Sequence, residues 1–448
     1  MIARNRQSRW NRSKPRLSRR RLLRIAAAAA GSLAVPYGIP ASALGKDGRV
    51  PPSERILLGG IGLGGRGTAV LGWMLVEPDV QFVAICDARK IRREAIKNLV
   101  DAKYGNKDCA MHRDLREFLA QRTDIDAVLI ATGDRWHALA SVMALRAGKD
   151  VYCEKPSCMT MAEGQAVVQT AARYGRVYQS GTQGLSMANR VFGIETARSG
   201  RLGRLHTAYA QIAPWDAAVM RHDWLPAQPE PPKEEVDWDA WLGPCPWRPY
   251  NAAYVAGGWR GHYDFHTSCI GEWGAHTFVQ VQAGIGAQHT SAIEYEYVDN
   301  PTGDGMVTHF ANGVKMILAR SKDCWGNFSG QRFDGTEGWI ANCGEGHDDS
   351  RASSPALLAD FKKVIADYVA RTQCPMNHAR NFFDCVKSRR LTVANPEVMY
   401  RSMSTVHAAN ICMWLKRSLR FDPLKAEFVN DPDANRLRSR AMREPWVL

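Results

Sequence analysis

The chain of 448 residues lacks several patterns that would assign it to a common functional class. Its 11 cysteines are odd in number and scattered, without a Cys-x-x-Cys pair, so neither a disulfide framework nor a cysteine zinc site is indicated. Beyond the N-terminal segment there is no basic stripe with interleaved aromatic residues, which argues against a nucleic-acid partner. No internal repeat is evident, and no apolar run is long enough to span a bilayer comfortably.

Acidic residues are absent from the N-terminal segment, which is strongly basic. Between Arg4 and Arg24 there are ten Lys or Arg, followed by the apolar run Ile25–Val35 and the small residues Ala41–Ala43. This pattern predicts a cleavable export signal over residues 1–43. The stretch Ser18–Arg24 resembles a twin-arginine signal, whose pathway exports folded proteins. An ordinary secretory signal and a retained membrane anchor are the alternatives.

The basic character of the chain resides largely in this signal. Subtracting its ten positive charges from the formal net charge of +14 leaves about +4 for the rest of the protein. We expect an exported, periplasmic or extracellular protein with no stable membrane insertion once the signal is removed. If the protein folds before export, buried thiols are also expected.

The most informative stretch is the apolar run Arg55–Ile61, which leads into the glycine-rich turn Gly62–Gly67. An apolar strand, a Gly-x-Gly-x-x-Gly turn and a helix form the opening of a dinucleotide-binding βαβ unit. The first glycine would permit the tight turn, the second the approach of the backbone to the pyrophosphate, and the third the close packing of helix on strand. The predicted cofactor contacts in this turn are Gly62, Leu63, Gly64, Arg66 and Gly67.

The next apolar run, Val80–Cys86, ends at Asp87, which is 20 residues beyond the last glycine of the turn. A carboxylate at this spacing binds the hydroxyls of the adenosine ribose and repels a 2′-phosphate, so NAD is favoured over NADP. The nearby Arg89 and Arg92 weaken that preference. The alternative is an aspartate that only caps the next helix.

The two parts of the chain differ in their patterns. Up to about residue 175, strands at 56–61, 81–86, 127–131 and 150–153 alternate with helices, which predicts a parallel sheet covered on both faces. A Trp/Pro-rich stretch at 215–254 is followed by alternating runs at 293–298, 307–310 and 314–318, typical of an antiparallel sheet. Two late helices are predicted at 360–368 and 399–415.

We therefore predict an α/β protein with an N-terminal Rossmann domain, a doubly wound parallel sheet, at residues 50–175. A substrate-binding and oligomerisation α+β domain with a large open, mostly antiparallel sheet follows at 176–420, and a C-terminal tail at 421–448.

Three further segments carry side chains suited to chemistry. In the loop 131–137, at the end of a predicted strand, Asp134 and His137 are candidates, although a simple strand–helix loop would look the same. Glu154 and Lys155 precede Pro156 at the tip of the next strand, where a surface ion pair is the alternative.

The third segment, 258–276, is dense in imidazole and carboxylate groups. Glu272 and His276 are four residues apart, so on a helix the carboxylate could orient the imidazole. His262, Asp264 and His266 alternate as on an extended segment. Zinc held by the three histidines is an alternative, but hydride transfer to a nicotinamide needs no metal, and we predict none.

Together these segments resemble the glucose-fructose oxidoreductase, inositol dehydrogenase and rhizopine-catabolism family, Gfo/Idh/MocA. The resemblance rests on the turn 62–67, the Ala-Thr-x-x-x-Trp-His loop 131–137, Glu-Lys-Pro at 154–156, Gly-Thr-Gln at 181–183 and Glu-Trp-Gly-Ala-His at 272–276. The tail from 421 to 446 is similar to that of exported members. At positions 133, 135, 272 and 279 this chain has Gly, Arg, Glu and Val where the family usually has Pro, His, Asp and Asp.

The resemblance implies an enzyme in which Lys155 polarises the substrate hydroxyl, His276 takes its proton and Glu272 holds the imidazole. It also implies further cofactor contacts, which are Asp87, Thr132, His137, Glu154, Lys155 and Gln183. The predicted substrate contacts are Trp136, Arg260, His262, Asp264, His266 and Trp273, where the aromatic rings suit sugar faces.

The predicted activity is hydride transfer between a carbohydrate CH–OH group and tightly bound NAD in a homo-oligomer. A second possibility is an NAD-dependent glycoside hydrolase that works by transient oxidation, elimination, hydration and re-reduction, with His262, Asp264 or His266 as the additional acid–base group. A third is a sugar-binding protein that has the fold without the activity.

Overall fold

Two β-sheets organise the chain in a computed structural model, which describes residues 50–212, 220–300, 302–320, 330–343 and 350–448. The predicted export signal at residues 1–43 lies outside the described residues. The part of the chain from Arg55 to Leu448 forms one compact unit. Among the described helices, none combines the length and the apolar character needed to cross a lipid bilayer.

The first sheet is built from strands that follow the predicted alternation with helices. Its strands are β1 (Ile56–Ile61), β2 (Val80–Cys86), β3 (Ala110–His112), β4 (Ala127–Ile130), β5 (Asp150–Glu154) and β6 (Tyr178–Gly181). All neighbours pair in parallel, in the order β3-β2-β1-β4-β5-β6. This order places the ends of β1 and β4 side by side, where doubly wound sheets bind their ligands.

Helices bury both faces of this sheet. They are α1 (Gly65–Met74), α2 (Lys90–Tyr104), α3 (Leu115–Gln121), α4 (Asp134–Arg146) and α5 (Met161–Tyr174). In β4 the side chains of Val128 and Ile130 belong to one apolar cluster, and those of Ala127 and Leu129 to a second. Because alternate residues of a strand point to opposite faces, a run that is apolar throughout marks a strand covered on both sides.

The second sheet is larger and mixed. Its strands are β7 (Leu205–Ile212), β8 (Glu294–Glu296), β9 (Val307–His309), β10 (Lys315–Arg320), β11 (Gly330–Gly335), β12 (Gly338–Cys343), β13 (Ser350–Ala352), β14 (Leu419–Asp422) and β15 (Glu427–Phe428). The order is β13-β12-β11-β7-β10-β9-β8-β14-β15. Only β7 and β10 pair in parallel among these described strands.

Helices of the second half of the chain are α6 (Ala188–Arg198), α7 (Trp238–Leu242), α8 (Ser268–Gly284), α9 (Phe361–Thr372), α10 (His378–Ser388), α11 (Pro396–Leu415) and α12 (Pro432–Arg436). Helix α8 packs on β7 and β11 and against α11. Nearly all of its residues are buried, so the helix is covered around most of its circumference. It is the element that carries Glu272 and His276.

A third, small apolar cluster lies in the Trp/Pro-rich stretch. It contains Trp238, Trp241, Leu242, Cys245, Tyr254, Val255 and Phe265. The Trp238 and Trp241 rings stack with centroids 4.8 Å apart, and Phe265 meets Trp241 edge-on at 5.4 Å. This cluster gives the irregular segment a core of its own, because aromatic pairs bury large areas in a defined geometry.

The cysteines are chemically quiet. None of the nine whose side chains are described forms a disulfide, and all of these except the half-buried Cys374 are buried. Burial raises the pKa of Cys153 and of Cys412 to about 12, and those of Cys109 and Cys385 to about 11. Buried thiols that form no disulfide in this part of the chain are compatible with a protein that folds before export.

The predicted fold class is confirmed. The four predicted parallel strands are present, and each predicted alternating run contains a strand of the second sheet. The two late helices are longer than predicted: α9 continues to Thr372, and α11 begins at Pro396. The side chain of Asn395 caps α11 by accepting hydrogen bonds from the amides of Glu397 and Val398, which explains the earlier start.

Candidate cofactor and substrate site

The glycine-rich turn after β1 leaves its backbone accessible at the start of α1. Gly62 has a positive φ of 66°, and a Cβ there would lie 2.2 Å from Cγ2 of Thr132. A Cβ on Gly67 would lie 2.9 Å from that of Ala131. At Gly64, by contrast, no described atom lies within 4 Å of the Cβ position. The turn can therefore bring a ligand against the backbone and the N-terminus of a helix, an arrangement that suits a pyrophosphate.

This turn opens into a cleft of about 290 Å³ that is continuous with solvent. One wall is formed by the ends of the parallel strands, and the other by the Trp/Pro-rich stretch and the C-terminal tail. Among the predicted residues, those that line the cleft are Gly62, Gly64, Arg66, Asp87, Thr132, Trp136 and Arg260.

Asp87 lies at the end of β2, inside the cleft. Its Oδ1 accepts a hydrogen bond from the amide of Arg89 (2.9 Å), and burial raises the pKa of the carboxyl. The residue that caps α2 is Arg89, so Asp87 is not the helix cap that the sequence offered as an alternative. Arg89 and Arg92 also line the cleft, and the Arg89 guanidinium donates a hydrogen bond to the carbonyl oxygen of Val255 (2.9 Å).

Three predicted residues from separate segments meet near the turn. Glu154 is 2% exposed, and its Oε1 accepts from Nε2 of Gln183 (2.6 Å) and from Nε of Arg66 (3.3 Å). Arg66 Nη2 also donates to Oε1 of Gln183 (2.8 Å). Gln183 Nε2 reaches the hydroxyl of Tyr152 as well (2.9 Å). Each group holds the next, so the network fixes the orientation of these side chains beside the glycine turn.

Lys155 follows Glu154 and points toward α8. Its Nζ donates to the carbonyl oxygen of Glu272 (3.2 Å), lies 3.8 Å from Glu272 Oε1 and sits 5.6 Å from the centre of the Trp273 ring. The ammonium group therefore bridges the first sheet and α8. A Lys side chain has three donors, so it can also bind a substrate hydroxyl.

The start of α8 is fixed by contacts from two other helices. Ser268 has a positive φ of 71°, unusual for a residue with a side chain, and its Oγ hydrogen-bonds Oδ1 of Asn410 (2.7 Å). The amide and the hydroxyl of Thr267 both donate to Oδ2 of Asp134 (3.0 and 2.8 Å). These contacts determine where the turn that carries Glu272 and His276 lies.

His276 is 7% exposed. Burial lowers its pKa well below the usual value, and the positive charges of Lys155 and Arg66 lower it further. The imidazole is therefore neutral near pH 7 and can accept a proton.

Glu272 was predicted to hold His276, and the structure corrects this. Its Oε2 accepts from Nε2 of His266 (3.0 Å) instead. The amide of Gly261 donates to Nδ1 of His266 (3.2 Å), so the imidazole hydrogen is on Nε2. Burial alone would raise the pKa of Glu272, but the hydrogen bond from His266 and the charge of Lys155 lower it to about 2. The physical reason is that the chain turns back after Gly261, at a positive φ of 79°, and brings His266 onto the carboxylate.

Two predicted substrate residues are also placed elsewhere. His262 is completely buried, edge-on to Tyr254 at 5.1 Å. Asp264 pairs with the guanidinium of Arg248. The segment is not extended as predicted, because the amides of both Phe265 and His266 donate to the carbonyl oxygen of His262. The aromatic cluster pulls these residues into a tight turn, away from the cleft.

His137 was predicted to bind the cofactor. It is 2% exposed and, like Glu154, Lys155 and Gln183, it is not among the residues that line the cleft. Its Nδ1 donates to the carbonyl oxygen of Pro156 (2.7 Å), so it supports the turn that presents Lys155. The zinc alternative has no ligand set, since no three His, Cys, Asp or Glu side chains in the described ranges are placed to hold a metal ion.

Sequence reasoning missed two cleft residues, Arg135 and Trp446. Trp446 meets Trp136 edge-on at 4.9 Å, and the guanidinium of Arg116 lies 4.9 Å from the centre of its ring. Two features of the sequence could have indicated them. Arg135 departs from the pattern of the family that the chain resembles, and Trp446 lies in the tail that is similar to that of exported members.

Two family models match the chain. The oxidoreductase-family model for an NAD-binding Rossmann fold matches residues 56–182, and that for the C-terminal alpha/beta domain matches residues 213–448. Together they cover the first sheet and every strand of the second sheet except β7.

Among curated proteins, the chain is similar to proteins named glycosyl hydrolase family 109 protein. One from Stenotrophomonas maltophilia is 26% identical over 79% of this chain and 80% of its own length. One from Saccharopolyspora erythraea is 34% identical over 37% of this chain, and the match spans only 39% of that relative.

Solved structures share the fold at low identity. The WlbA dehydrogenase from Bordetella pertussis, in complex with NADH and UDP-GlcNAcA, is 15% identical with a TM-score of 0.59, over 82% of this chain and 98% of its own. The myo-inositol 2-dehydrogenase from Lactobacillus plantarum is 14% identical with a TM-score of 0.55, over 82% and 100%.

Proposed function

Because the chain belongs to the Gfo/Idh/MocA oxidoreductase family and has its NAD-binding Rossmann fold, we propose that it transfers a hydride between a carbohydrate CH–OH group and tightly bound NAD. The observation that carries this proposal is the approach of Lys155 to α8, where His276 is buried and neutral. When bound, NAD supplies the nicotinamide carbon that accepts or returns the hydride. The chain's own residues fit this cofactor: the backbone is open at Gly64, and Asp87 suits a ribose.

His276 would act as the base. As the hydride leaves the substrate carbon, the hydroxyl proton must go to an acceptor, and a neutral imidazole is suited to receive it. Its lowered pKa keeps it unprotonated at the pH of turnover. Proton removal by a positioned base typically contributes about 10² to 10⁴ in rate.

Lys155 would bind and polarise the reacting hydroxyl. Its positive charge favours the developing alkoxide and also disfavours a proton resting on His276. Glu272 would keep this lysine in place through a backbone carbonyl contact at 3.2 Å and a carboxylate at 3.8 Å. With a pKa of about 2, Glu272 remains ionised across neutral pH.

The second candidate is an NAD-dependent glycoside hydrolase. It is favoured by the curated relatives, which are named as glycosyl hydrolases; one of them is similar over 79% of this chain. Such a reaction needs an acid–base group besides His276. With His262 and Asp264 turned away, His266 and its hydrogen-bonded partner Glu272 are the remaining acid–base pair near Lys155. A sugar-binding protein without activity is a third candidate, and the presence of both Lys155 and His276 argues against it.

We also propose that the chain is exported through the twin-arginine pathway and acts as a periplasmic or extracellular homo-oligomer. The basic, acid-free N-terminal segment supports export. Free NAD is scarce outside the cytoplasm, so an exported enzyme would retain its cofactor and regenerate it within each cycle. This favours sugar-to-sugar transfer or redox hydrolysis over release of NADH.

The test is a mass spectrum of the products formed when purified mature protein, with the nucleotide it carries, is mixed with sugars and glycosides. A product lighter by two hydrogens, with reduced nicotinamide on the enzyme, is the expected outcome. Cleaved sugar with no net reduction of the cofactor would instead support the second candidate, an NAD-dependent glycoside hydrolase. Protein that contains no nucleotide and binds NAD only at millimolar concentration would contradict the proposal of a retained cofactor.

Substitutions assign the roles. Lys155→Met and His276→Asn should each lower kcat/KM by about 10² to 10⁴ without loss of fold. Lys103→Met and His289→Asn, both exposed, are the matched controls and should leave kcat/KM unchanged. A His276→Asn enzyme with a near-normal rate would remove His276 from the base role.

A further inference from the structure

The cleft contains buried hydrogen-bond donors without partners. Of its lining residues, three have a side-chain nitrogen that is buried and makes no hydrogen bond to any described group: Nε of Arg89, Nη1 of Arg135 and Nε1 of Trp446. All three are N–H donors, and two belong to cations. Because buried donors are normally satisfied, this set predicts a ligand rich in acceptor oxygens.

Of the two cations, Arg89 and Arg135, Arg135 is the more deeply buried. It is 4% exposed, and its guanidinium lies 3.6 Å from the centre of the Trp241 ring. Nε and Nη2 both donate to the carbonyl oxygen of Trp241 (2.9 and 2.8 Å). Burial lowers the pKa of Arg135 to about 10, so the group is charged at neutral pH.

No carboxylate forms a direct ion pair with this guanidinium within the described part of the chain, although the negative charges of Asp134 and Asp87 act on it from a distance. The adjacent Asp134 uses its Oδ2 for the amide and the hydroxyl of Thr267. The side chain of Arg440 pairs with Glu163, and its Nη2 donates to the backbone carbonyl of Arg135. A buried guanidinium without a directly paired carboxylate can form a charge-assisted hydrogen bond to a negatively charged ligand.

Gly133 makes room for this arrangement. A Cβ at residue 133 would lie 2.4 Å from Nη1 of Arg135, which is less than any normal contact. The φ of Gly133 is −81°, so its backbone does not itself require glycine. The two residues therefore depend on each other: because Gly133 has no side chain, Nη1 of Arg135 can occupy this space beside the cleft.

We propose that Arg135 is a cofactor-binding residue whose Nη1 donates a charge-assisted hydrogen bond to an oxygen of the bound dinucleotide. Trp241 fixes the guanidinium plane through stacking and through its carbonyl oxygen, and Gly133 leaves Nη1 in position. The proposal rests on the proposed function, because it takes the ligand of the cleft to be NAD. The pyrophosphate supplies acceptor oxygens for the Nη1 donor, which has no partner among the described residues.

The test compares the affinity for NAD with the stability of the nucleotide-free protein. Arg135→Met keeps an unbranched side chain against Trp241 but removes the charge and the donors. We expect the Kd for NAD, measured by calorimetry on protein stripped of nucleotide, to rise about ten- to a hundredfold. The melting temperature of the nucleotide-free variant should change little, because the desolvation cost of the buried guanidinium is removed together with its hydrogen bonds to the Trp241 carbonyl. Arg146→Met, at the exposed end of the same helix, is the control and should leave both unchanged.

A second variant separates binding from a structural role. Gly133→Ala keeps Arg135 but displaces Nη1, so it should also raise the Kd; combined with Arg135→Met, it should add less than twofold. If Arg135→Met does not fold, this variant alone carries the test. A Kd for NAD within twofold of the wild-type value in the variants, or a melting temperature that falls while the Kd is kept, would overturn the proposal. Wild-type protein that binds no NAD would instead contradict the proposed function.

Discussion

His378 makes the stability of this protein depend on pH in a way that can be calculated. It is buried at the start of α10, where Nε2 donates to the carbonyl oxygen of Ser180 (2.8 Å) and Nδ1 accepts from the hydroxyl of Ser186 (2.8 Å). Both nitrogens are used by the neutral ring. Burial lowers the pKa of His378 from 6.5 to about 4.

The sign follows from which state binds the proton. Below pH 6.5 the unfolded chain protonates this imidazole, whereas the folded protein does not until the pH approaches 4. Proton binding therefore stabilises the unfolded state as the pH falls, and the contribution of His378 to folding stability is fully present above pH 6.5. Between pH 7 and pH 5 the folded protein should lose about 2 kcal/mol from this residue alone.

The assay is urea unfolding at pH 7 and pH 5, followed by tryptophan fluorescence, for the wild type and for His378→Gln. The quantity of interest is the change in the free energy of unfolding between the two pH values, so the constant cost of the substitution cancels. In the variant this change should be smaller by about 2 kcal/mol. His289→Gln, at an exposed position, should behave as the wild type. If the His378→Gln protein showed the wild-type pH dependence to within about 0.5 kcal/mol, the reasoning from burial would be refuted.

Two further predictions concern the cleft. Gly62→Ala should weaken NAD binding by at least about tenfold and lower the free energy of unfolding by about 1 to 2 kcal/mol. The reason is that Gly62 has a positive φ and that a Cβ there would clash with Thr132. Binding is measured by calorimetry and stability by urea unfolding, with Gly72→Ala, at an open helical position, as the control. A Gly62→Ala protein that behaved like the control would contradict the role of the turn. Glu272→Gln should lower kcat/KM about tenfold or more with an unchanged circular dichroism spectrum, because the negative charge beside Lys155 is lost. Glu272→Asp keeps the charge and should retain more activity than Glu272→Gln. Equal rates for the two variants would show that the charge does not matter.

The sequence predicted the first sheet well because its signals are local. In β1 and β4, continuous apolar residues mark strands covered on both faces, and Gly62 to Gly67 impose a turn that few other residues could form. The residues of that turn and Asp87 were identified by spacing along the chain, and Glu154 by its position before Lys155-Pro156 and by the family resemblance. Their grouping around one cleft follows from the strand order, which places strand ends together.

The segment around His262 could not be predicted in the same way. Its alternation of polar side chains is equally compatible with an extended strand and with a turn, and the choice depends on Tyr254 and the aromatic cluster, which the local pattern does not reveal. The partner of Glu272 was missed for the same reason. One-turn spacing on α8 favoured His276, but a tertiary contact brought His266 to the carboxylate.

Arg135 shows a different limit. The sequence presented it as a departure from a family pattern, with no means to tell whether the change was neutral. Its significance appears only when the position of its guanidinium is compared with the missing side chain of Gly133, two residues earlier, and with the carbonyl oxygen of Trp241, more than a hundred residues later.

The buried thiols have a consequence for the covalent chemistry of the chain. A thiol with a pKa of about 12, as at Cys153 and Cys412, is almost never a thiolate at neutral pH, and the thiolate is the form that exchanges disulfides and reacts with oxidants. Cys109 and Cys385, with pKa values of about 11, are nearly as inert. These thiols have little tendency to change their covalent state in response to a shift in redox conditions. For an enzyme whose substrate chemistry is itself redox, this keeps electron transfer at the nicotinamide separate from the sulfur atoms of the core.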